Sequence, residues 1–537
     1  TTQAGTTVPI PPSNLTATAA SSSQINLTWL DNSSNETGFK IERAPTSTGT
    51  WTQIATVGAN VTTYSNTGLT ASTTYYYHVH AYNTAGDSAA CNTASATTPI
   101  ISSEWLKSFG STANDNGNSV AVDSYGDVIM AGTFYGIVDF GGGPLESTHW
   151  DWIDPILSSD VVLAKYSPTG NHLWSKNLGG TANESGMAVA TDAYDNVIVA
   201  GSRNSYQVNY DGGVGTGIGY SDVFLAKFSP TGTYLWSGVY GGVDSEYGSA
   251  VAVDGNGDIL LTGYFMGSAS FGGASLSSSG SYDIFIAKYS GVDGHHLWSK
   301  RLGGIYSDIP SGIAVDSANN VFITGKFAGA VDFGGGSLTS AGGYDIFVAK
   351  FSPSGTHMWS KKLGGPGNEA AGGIAIDSSN RVILTGAFEQ TVNFGGGSLT
   401  SAGLGDIFIA KYDGTNGAHL WSQRYGGPND ELSRGVAVDG NDNLIVTGSF
   451  IGPLSFGGGE VSSIGTYDAF VAKYSTSGTY IWSEVYSGPN GQMAISVAVN
   501  GNSNIAITGN FVDSITFGGT NHVSHGNADI FLMSIMP

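Results

Sequence analysis

The sequence predicts an all-β protein: a β-sandwich over residues 11–99, then a seven-bladed β-propeller over residues 105–537 with 3+1 strand closure. Three observations predict it. Short segments of alternating polarity, separated by polar turns, fill the first hundred residues. Beyond them three residue series recur at a long fixed period, the sign of a repeat array. Finally, the two ends of that array are each incomplete in a way that makes one whole sheet.

Composition sets the outer limits. The chain has 537 residues, 80 of them Gly, with 40% hydrophobic and 11% aromatic residues. That apolar content is too high for a disordered chain. Charged residues make up 11%, against about 25% in an average soluble protein. No apolar run reaches the length of about 18 residues that a membrane-spanning helix needs, so no membrane insertion is expected. The formal net charge of −23 has the wrong sign for a nucleic-acid partner or an anionic membrane surface. The single cysteine, Cys91, excludes an internal disulfide framework and a multi-cysteine zinc site. A thiol-poor, acidic chain rich in Thr, Ser, Gly and Asn leans towards a secreted or cell-surface bacterial protein. The start at Thr1 lacks the basic and apolar stretches of a secretion leader; the expectation is that one was removed or that this is a mature fragment.

Residues 1–10 read as an extended polar leader ending at Pro9. Leu15-x-Ala17, Ile25-x-Leu27-x-Trp29, Phe39-x-Ile41 and Tyr75-x-Tyr77-x-Val79 then alternate with period two, as half-buried antiparallel strands do. Pro11-Pro12, Leu27-Thr28-Trp29, Phe39-Lys40-Ile41-Glu42-Arg43, Leu69 with Tyr75-Tyr76-Tyr77, and Thr97-Thr98-Pro99 together resemble a fibronectin type III domain. The resemblance implies Trp29 as the buried core tryptophan and Leu69 with Tyr75 as a tyrosine corner. It implies little about function, because such modules serve as spacers and as adhesion surfaces alike. Cys91 reads as a small strand or loop residue, with intermolecular cross-linking the minority reading. Residues 100–104 are the linker.

The array follows. Trp105, Trp174, Trp236, Trp298, Trp359, Trp421 and Trp482 recur 61–69 residues apart. Asp160, Asp222, Asp283, Asp345, Asp406, Asp468 and Asp529 recur every 61 or 62 residues. Asp123, Asp192, Asp254, Asp316, Asp377 and Asp439 form a third series, with Asn500 in the seventh place. Each unit shows four strand signals. In one unit, strand a is residues 373–377, strand b residues 382–386, strand c residues 406–412 and strand d residues 419–422. A tight turn joins a to b, and a Gly-rich connection, Phe394-Gly395-Gly396-Gly397, joins b to c. Four short strands per unit make a propeller. Residues 105–110 are a lone strand d before any strand a, and the last unit lacks a strand d. Pairing the two closes the ring and removes an exposed sheet edge. Val251-Ala252-Val253-Asp254-Gly255-Asn256-Gly257-Asp258, then Asp283-Ile284-Phe285-Ile286-Ala287-Lys288, then Leu297-Trp298-Ser299 resemble the bacterial SBBP β-propeller repeat. That resemblance covers residues 105–537. It implies secreted or surface proteins and carries no general catalytic activity.

Sevenfold repetition favours architecture over chemistry. The tryptophans are read as packing between blades. The Asp series at the start of strand c is read as anchoring the b–c connection through backbone hydrogen bonds. The competing reading makes Asp160, Asp222, Asp283, Asp345, Asp406, Asp468 and Asp529 a ring of calcium ligands, and calcium is the one cofactor left open. More acids gather in the d–a connections, namely Asp115, Glu184, Asp244, Glu246, Asp308, Glu369, Asp430 and Glu431. They predict that the face carrying the d–a and b–c connections is strongly negative, tolerable without a metal because exposed charges near 8 Å repel by roughly 0.5 kcal/mol. His172, His296, His357 and His419 interchange with Tyr234 and Tyr480, which points to a packing or surface role rather than a metal site. No metalloprotease, nucleophile-elbow or phosphate-loop motif is present.

The one departure from symmetry in loop length is in the first unit. From Phe140 to Asp160 is 20 residues, where the sibling units have 12. The extra residues include His149, Trp150, Asp151, Trp152 and Asp154, which form the candidate binding loop for a sugar ring or a protein partner. The alternative is that the loop packs on its own blade. The leading expectation is a secreted or cell-surface, non-catalytic scaffold or adhesion protein. Its partner is a protein or glycan at the cell surface, or a second copy joined head to tail into filaments. A carbohydrate-binding propeller and a polysaccharide-acting enzyme are the alternatives.

Overall fold

The computed structural model describes residues 7–21, 24–67, 69, 73–98, 104–147, 158–204, 207–209, 214–500 and 504–536. The chain divides into two compact units, Thr1–Ser102 and Ser103–Pro537. Every named regular element of both is a β-strand.

In the first unit, Ser13–Ser21, Gln24–Leu30 and Thr63–Thr67 make one sheet. Thr52–Gly58, Gly38–Ala44 and Thr74–Asn83 make the other, and Gly86–Asp87 and Ala94–Thr97 both pair with Thr74–Asn83. Period-two alternation turns Ile25, Leu27 and Trp29 of one sheet and Phe39, Ile41 and Val79 of the other into a single core. Trp29 is buried, its ring 5.6 Å from Phe39. Tyr75 is half-buried, with the Arg43 guanidinium 4.9 Å from its ring centre. The fully buried tyrosine is Tyr77, whose hydroxyl donates to Asn66 Oδ1 at 3.0 Å. Cys91 is half-buried and its sulfur accepts the Val79 N–H at 3.2 Å. Burial pushes its thiol up and makes it a poor nucleophile.

The second unit is a succession of antiparallel four-stranded repeats in the order a-b-c-d. The fifth runs Glu369–Ile376, Val382–Phe388, Asp406–Tyr412 and His419–Tyr425. In the second, the outer strand Tyr234–Gly242 continues into pairing with a hairpin of the next repeat. Strands b and c are buried on both faces and mostly apolar, whereas a and d are half-buried. The last sheet joins Gln492–Val499, Ile505–Phe511 and Asp529–Ile535 to Trp105–Phe109 from the start of the unit. Ile530 pairs with Phe109 and Ser534 with Trp105. The innermost strands touch one another in sequence, and the first of them, Asn116–Val122, also touches the last, Gln492–Val499.

Three repeated devices hold the array, and the first two reach the neighbouring sheet. The first is the tryptophan of strand d. Trp105, Trp174, Trp298, Trp359 and Trp421 donate their indole N–H groups at 3.0–3.3 Å to carbonyls of Pro168, Pro230, Pro353, Gly414 and Thr476. Each carbonyl lies in the c–d turn of the next sheet. That turn needs a glycine in the left-handed region, as at Gly355 (φ 78°), and the Trp298 ring lies against it.

The second device is a buried ion pair. Lys165, Lys227, Lys288, Lys350, Lys411 and Lys473 of strand c reach the a–b turn acids Asp123, Asp192, Asp254, Asp316, Asp377 and Asp439 at 2.6–3.0 Å. The lysine side chains are at most 8% exposed. Lys350 Nζ also donates to Gly414 O of the next sheet at 2.8 Å. In the last sheet both charges are gone together: Asn500 stands for the acid and Ser534 for the lysine. Losing both partners of a buried pair costs little, whereas losing one strands a charge. Lys350→Met is therefore expected to cost roughly 3–5 kcal/mol. The double change Lys350→Ser with Asp316→Asn, which copies the last sheet, should recover most of it. Chemical denaturation measures both; a double variant no more stable than the single would refute the coupling.

The third device is the b–c connection. Its Gly-rich sequence predicts a simple link, but the structure folds it into a small hairpin, Thr391–Asn393 with Ser398–Thr400 in the fifth repeat. Its aromatic residue turns inward: Phe394 is buried and stacks 4.5 Å from Phe408 of strand c. The Tyr412 hydroxyl donates to Phe394 O at 3.0 Å, which pins the hairpin to its own sheet.

Candidate functional site

The candidate binding loop of the first repeat, with His149, Trp150, Asp151, Trp152 and Asp154, lies outside the described residues. Its approach is described: Pro144–Glu146 pairs with Ile137–Asp139, and the Asn177 side chain donates to Glu146 O at 2.7 Å.

Asp160, Asp222, Asp283, Asp345, Asp406, Asp468 and Asp529 are all at most 2% exposed. Six of them accept the N–H of the residue four positions earlier, at the end of the b–c connection: Ile218, Ser279, Ala341, Ala402, Ile464 and His525, at 2.9–3.2 Å. Some have a cation as well: Arg424 Nη1 is 2.7 Å from Asp406 and Arg301 Nε is 3.3 Å from Asp283. Each of these acids anchors its own repeat. Among the described residues, no group of three or more His, Cys, Asp or Glu side chains is arranged to hold a metal ion.

The d–a acids require a correction. The sequence places them on an exposed negative face, but Asp115, Glu184, Glu246, Asp308, Glu369 and Glu431 are buried. Only Asp244 and Asp430 keep partial exposure. The reason is local. The carboxylate folds back on its own connection: Glu246 accepts Gly242 N–H, Glu369 accepts Gly365 N–H and Glu431 accepts Gly427 N–H, at 2.8–2.9 Å. Each also faces the strand-c Asp of the preceding sheet. A methyl group added to Gly241 would fall on Asp222 Oδ1 and Glu246 Oε2 together, so two carboxyls share that glycine's space. Burial, with the neighbouring carboxylates adding, pushes Glu246, Glu369 and Glu431 up to about 7. Asp308 is raised to about 7 in the same way.

The histidines are structural. His172, His357 and His419 each meet the serine three residues on at 3.0–3.1 Å through Nε2. In Tyr234 and Tyr480 a hydroxyl makes the equivalent bond at 3.1–3.2 Å.

What the repeats do not share is the rim where strands a, b and c end beside the buried acids. In the third repeat Tyr247, Tyr264 and Tyr282 form a cluster with ring centres 5.0–6.1 Å apart. In the fourth, Lys326 lies 4.8 Å over the Tyr344 ring. In the sixth, Tyr467 donates to Asp430 at 3.3 Å. Corresponding positions elsewhere hold Ser185, Ser202 and Ser221, or Ala370, Ala387 and Gly405. Recesses of about 160 and 620 Å³ open here, the first lined by Lys326, Tyr344, Asn368, Glu389 and Asp430, the second by Tyr306, Ser307, Tyr344 and Asn368. Glu369 borders the smaller recess, but its raised protonation point is matched in Glu246 and Glu431, so it belongs to the repeat and not to a catalytic pair. Half-buried phenols beside one lysine suit stacking and hydrogen bonding to a bound surface or ring. Motif reading missed this rim. Its signal lay in lining up the seven copies and reading the residue beside each invariant strand-c Asp.

Comparison with known proteins agrees with this architecture. The fibronectin type III domain model matches residues 10–97 and the β-propeller repeat model matches residues 297–326. An uncharacterized WD repeat-containing protein of Acanthamoeba polyphaga mimivirus is 24% identical over 499 residues, covering 76% of this chain and 36% of that protein. Regulatory protein FlaEY of Caulobacter vibrioides is 24% identical over 397 residues, covering 68% of this chain and 39% of that protein. The chain thus spans less than two-fifths of the length of these curated relatives. Among solved structures, an Fn3-like protein from Clostridium thermocellum is 28% identical, with a TM-score of 0.16, covering 18% of this chain and all of that one. The chain carries a fibronectin type III domain followed by β-propeller repeats, an all-β combination.

Proposed function

We propose that this protein is a non-catalytic interaction scaffold that works outside the cell or on its surface, and that the tyrosine rim is its contact surface. One observation carries the reading. Apart from the last sheet, which lacks the ion pair, the repeats are alike in their buried acids and lysines, and they diverge at the half-buried rim, where aromatic side chains gather. A surface varied on a constant frame is what recognition requires. The acidic, thiol-poor composition supports an extracellular setting, and the fibronectin type III module supplies a second surface for adhesion. Head-to-tail contact between that module and the rim of another copy would build filaments.

Sedimentation velocity across a concentration series tests the assembly. Species larger than a monomer should grow with concentration and shrink in the Tyr264→Ala, Tyr282→Ala variant. A strict monomer at the highest concentration, with and without calcium, would sink it. The tyrosine cluster also favours a second reading, in which the rim stacks on neutral sugar rings. Glycan-array binding lost in Tyr282→Ala or Trp150→Ala would support that reading over self-assembly.

A further inference from the structure

Each innermost strand carries a β-bulge at the same place. The register slips between Gly117 and Ser119 in the first repeat, Ala371 and Gly373 in the fifth, Ser433 and Gly435 in the sixth, and correspondingly in the other four. The residues skipped are Asn118, Met187, Ser249, Ser311, Gly372, Arg434 and Ile495. All seven line one central channel of about 460 Å³, a size typical of small-ligand sites. A bulge turns a side chain away from the ladder, and such bulges concentrate where a site is being built.

The residues on either side of each bulge are Gly, Ala, Ser or, once, Pro310. The bulged residue alone ranges from glycine to arginine. Packing does not require that variety, since seven equivalent places in one ring accept seven near-identical strands.

The ring is also polarised. Arg434 is the only charged side chain among the described residues lining the channel. It is exposed and lines the channel, forms no ion pair among the described residues, and has the Tyr467 phenol as its electrostatic neighbour. Its planar fork of donors matches a carboxylate. Beside it stands Gly372, where a Cβ would collide with the Ser433 carbonyl of the adjacent strand. That close approach demands glycine and leaves the lumen next to the guanidinium free of side chain. Beyond Gly372 come Ser311 and Ser249, whereas Ile495 and Met187 give apolar surface on the other arc.

We propose that the channel binds a sugar acid, whose carboxylate takes the Arg434 guanidinium and whose ring lies over Gly372 towards Ser311 and Ser249. Ser249 meets a ring hydroxyl, and Ile495 and Met187 meet the C–H face. The site stands without the third-repeat tyrosines; its one printed neighbour on the rim is Tyr467, beside Arg434.

Calorimetric titration of the full chain with digalacturonate, its methyl ester, inorganic phosphate and a glutamate-rich peptide tests the proposal. Digalacturonate should bind once per chain and the ester should not. Arg434→Asn should weaken binding roughly tenfold or more, as loss of a charged hydrogen-bond partner does. The variant should fold, because Asn118 fills the same place in the first repeat, and an unchanged melting transition checks this. Tyr282→Ala should leave the affinity unchanged, so a failure of the rim reading does not touch this one. Absence of uronate binding, equal affinity in Arg434→Asn, or tighter binding of phosphate or peptide would each overturn the assignment.

Discussion

A chain that begins at Ser111 is expected to lose the closed ring and to aggregate, whereas one that begins at Ser103 is expected to fold. The difference is the single strand Trp105–Phe109. It supplies the fourth strand of the last sheet, and without it Asp529–Ile535 has unpaired backbone along one side. That strand is buried along its whole length, so its bared edge is apolar and sticky. Phe109 adds packing across the seam: its ring lies 5.2 Å from Phe140 and 5.7 Å from Tyr166 of the first repeat. Phe109→Ala within the intact chain should alone cost about 3–5 kcal/mol. Size-exclusion chromatography and thermal melting of the two truncations decide it. A soluble, cooperatively melting Ser111 chain would show that the closing strand is dispensable.

The second large effect is a fall in stability from about pH 4 to pH 7. Glu246, Asp308, Glu369 and Glu431 are raised to about 7 by burial, whereas in the unfolded chain they titrate near 4. Between those values the folded state holds more protons than the unfolded one, so stability drops as pH rises through that window and levels off above it. Each group contributes on the order of 2 kcal/mol. Asp192, Asp316 and Asp439 work oppositely. Burial alone would raise them, but bonds from their lysines and neighbouring asparagines hold them below the usual range. Their stabilisation is present above about pH 4 and lost below it. His172, His296, His357 and His419, lowered by burial, favour the fold as pH rises, but they are only half-buried. The optimum should fall between about pH 4 and 5, with a melting point on the order of 10 °C higher there than at pH 8. Glu369→Gln copies Gln492, which fills the same buried place in the last repeat and donates to Ser514 O at 3.0 Å. It should stabilise at pH 8 and do little at pH 5. A melting point that climbs from pH 5 to pH 8 would refute the assignment. Calcium added at pH 8 gives the remaining answer: if the facing carboxyls take a cation, the melting point rises there and not at pH 5.

Much of the architecture was legible because it is periodic. Strand alternation, the tryptophan period and the Asp-x-Phe starts are one-dimensional signals, and each maps onto a strand, although strand a begins earlier, at Glu369, and strand d runs on to Tyr425. Trp298 reads as a packing residue from its recurrence alone, and the structure supplies its partner, Pro353 O. The burial of Glu246 or Glu369 was not legible, because a carboxylate near a turn looks the same in sequence whether it faces water or folds back on its own backbone N–H.

The sequence by itself determined the two-part all-β plan, the sevenfold count and the pairing of the chain's early strand with its last sheet. These follow from repeat spacing and from which strand each end lacks. Only the tertiary structure decided which acids are buried, that ion pairs such as Lys350–Asp316 span one sheet and touch the next, and that Arg434 is the one charge among the described residues lining the channel. Those properties depend on which neighbouring sheet a side chain meets, and closing the ring brings together residues as distant as Asn116–Val122 and Gln492–Val499.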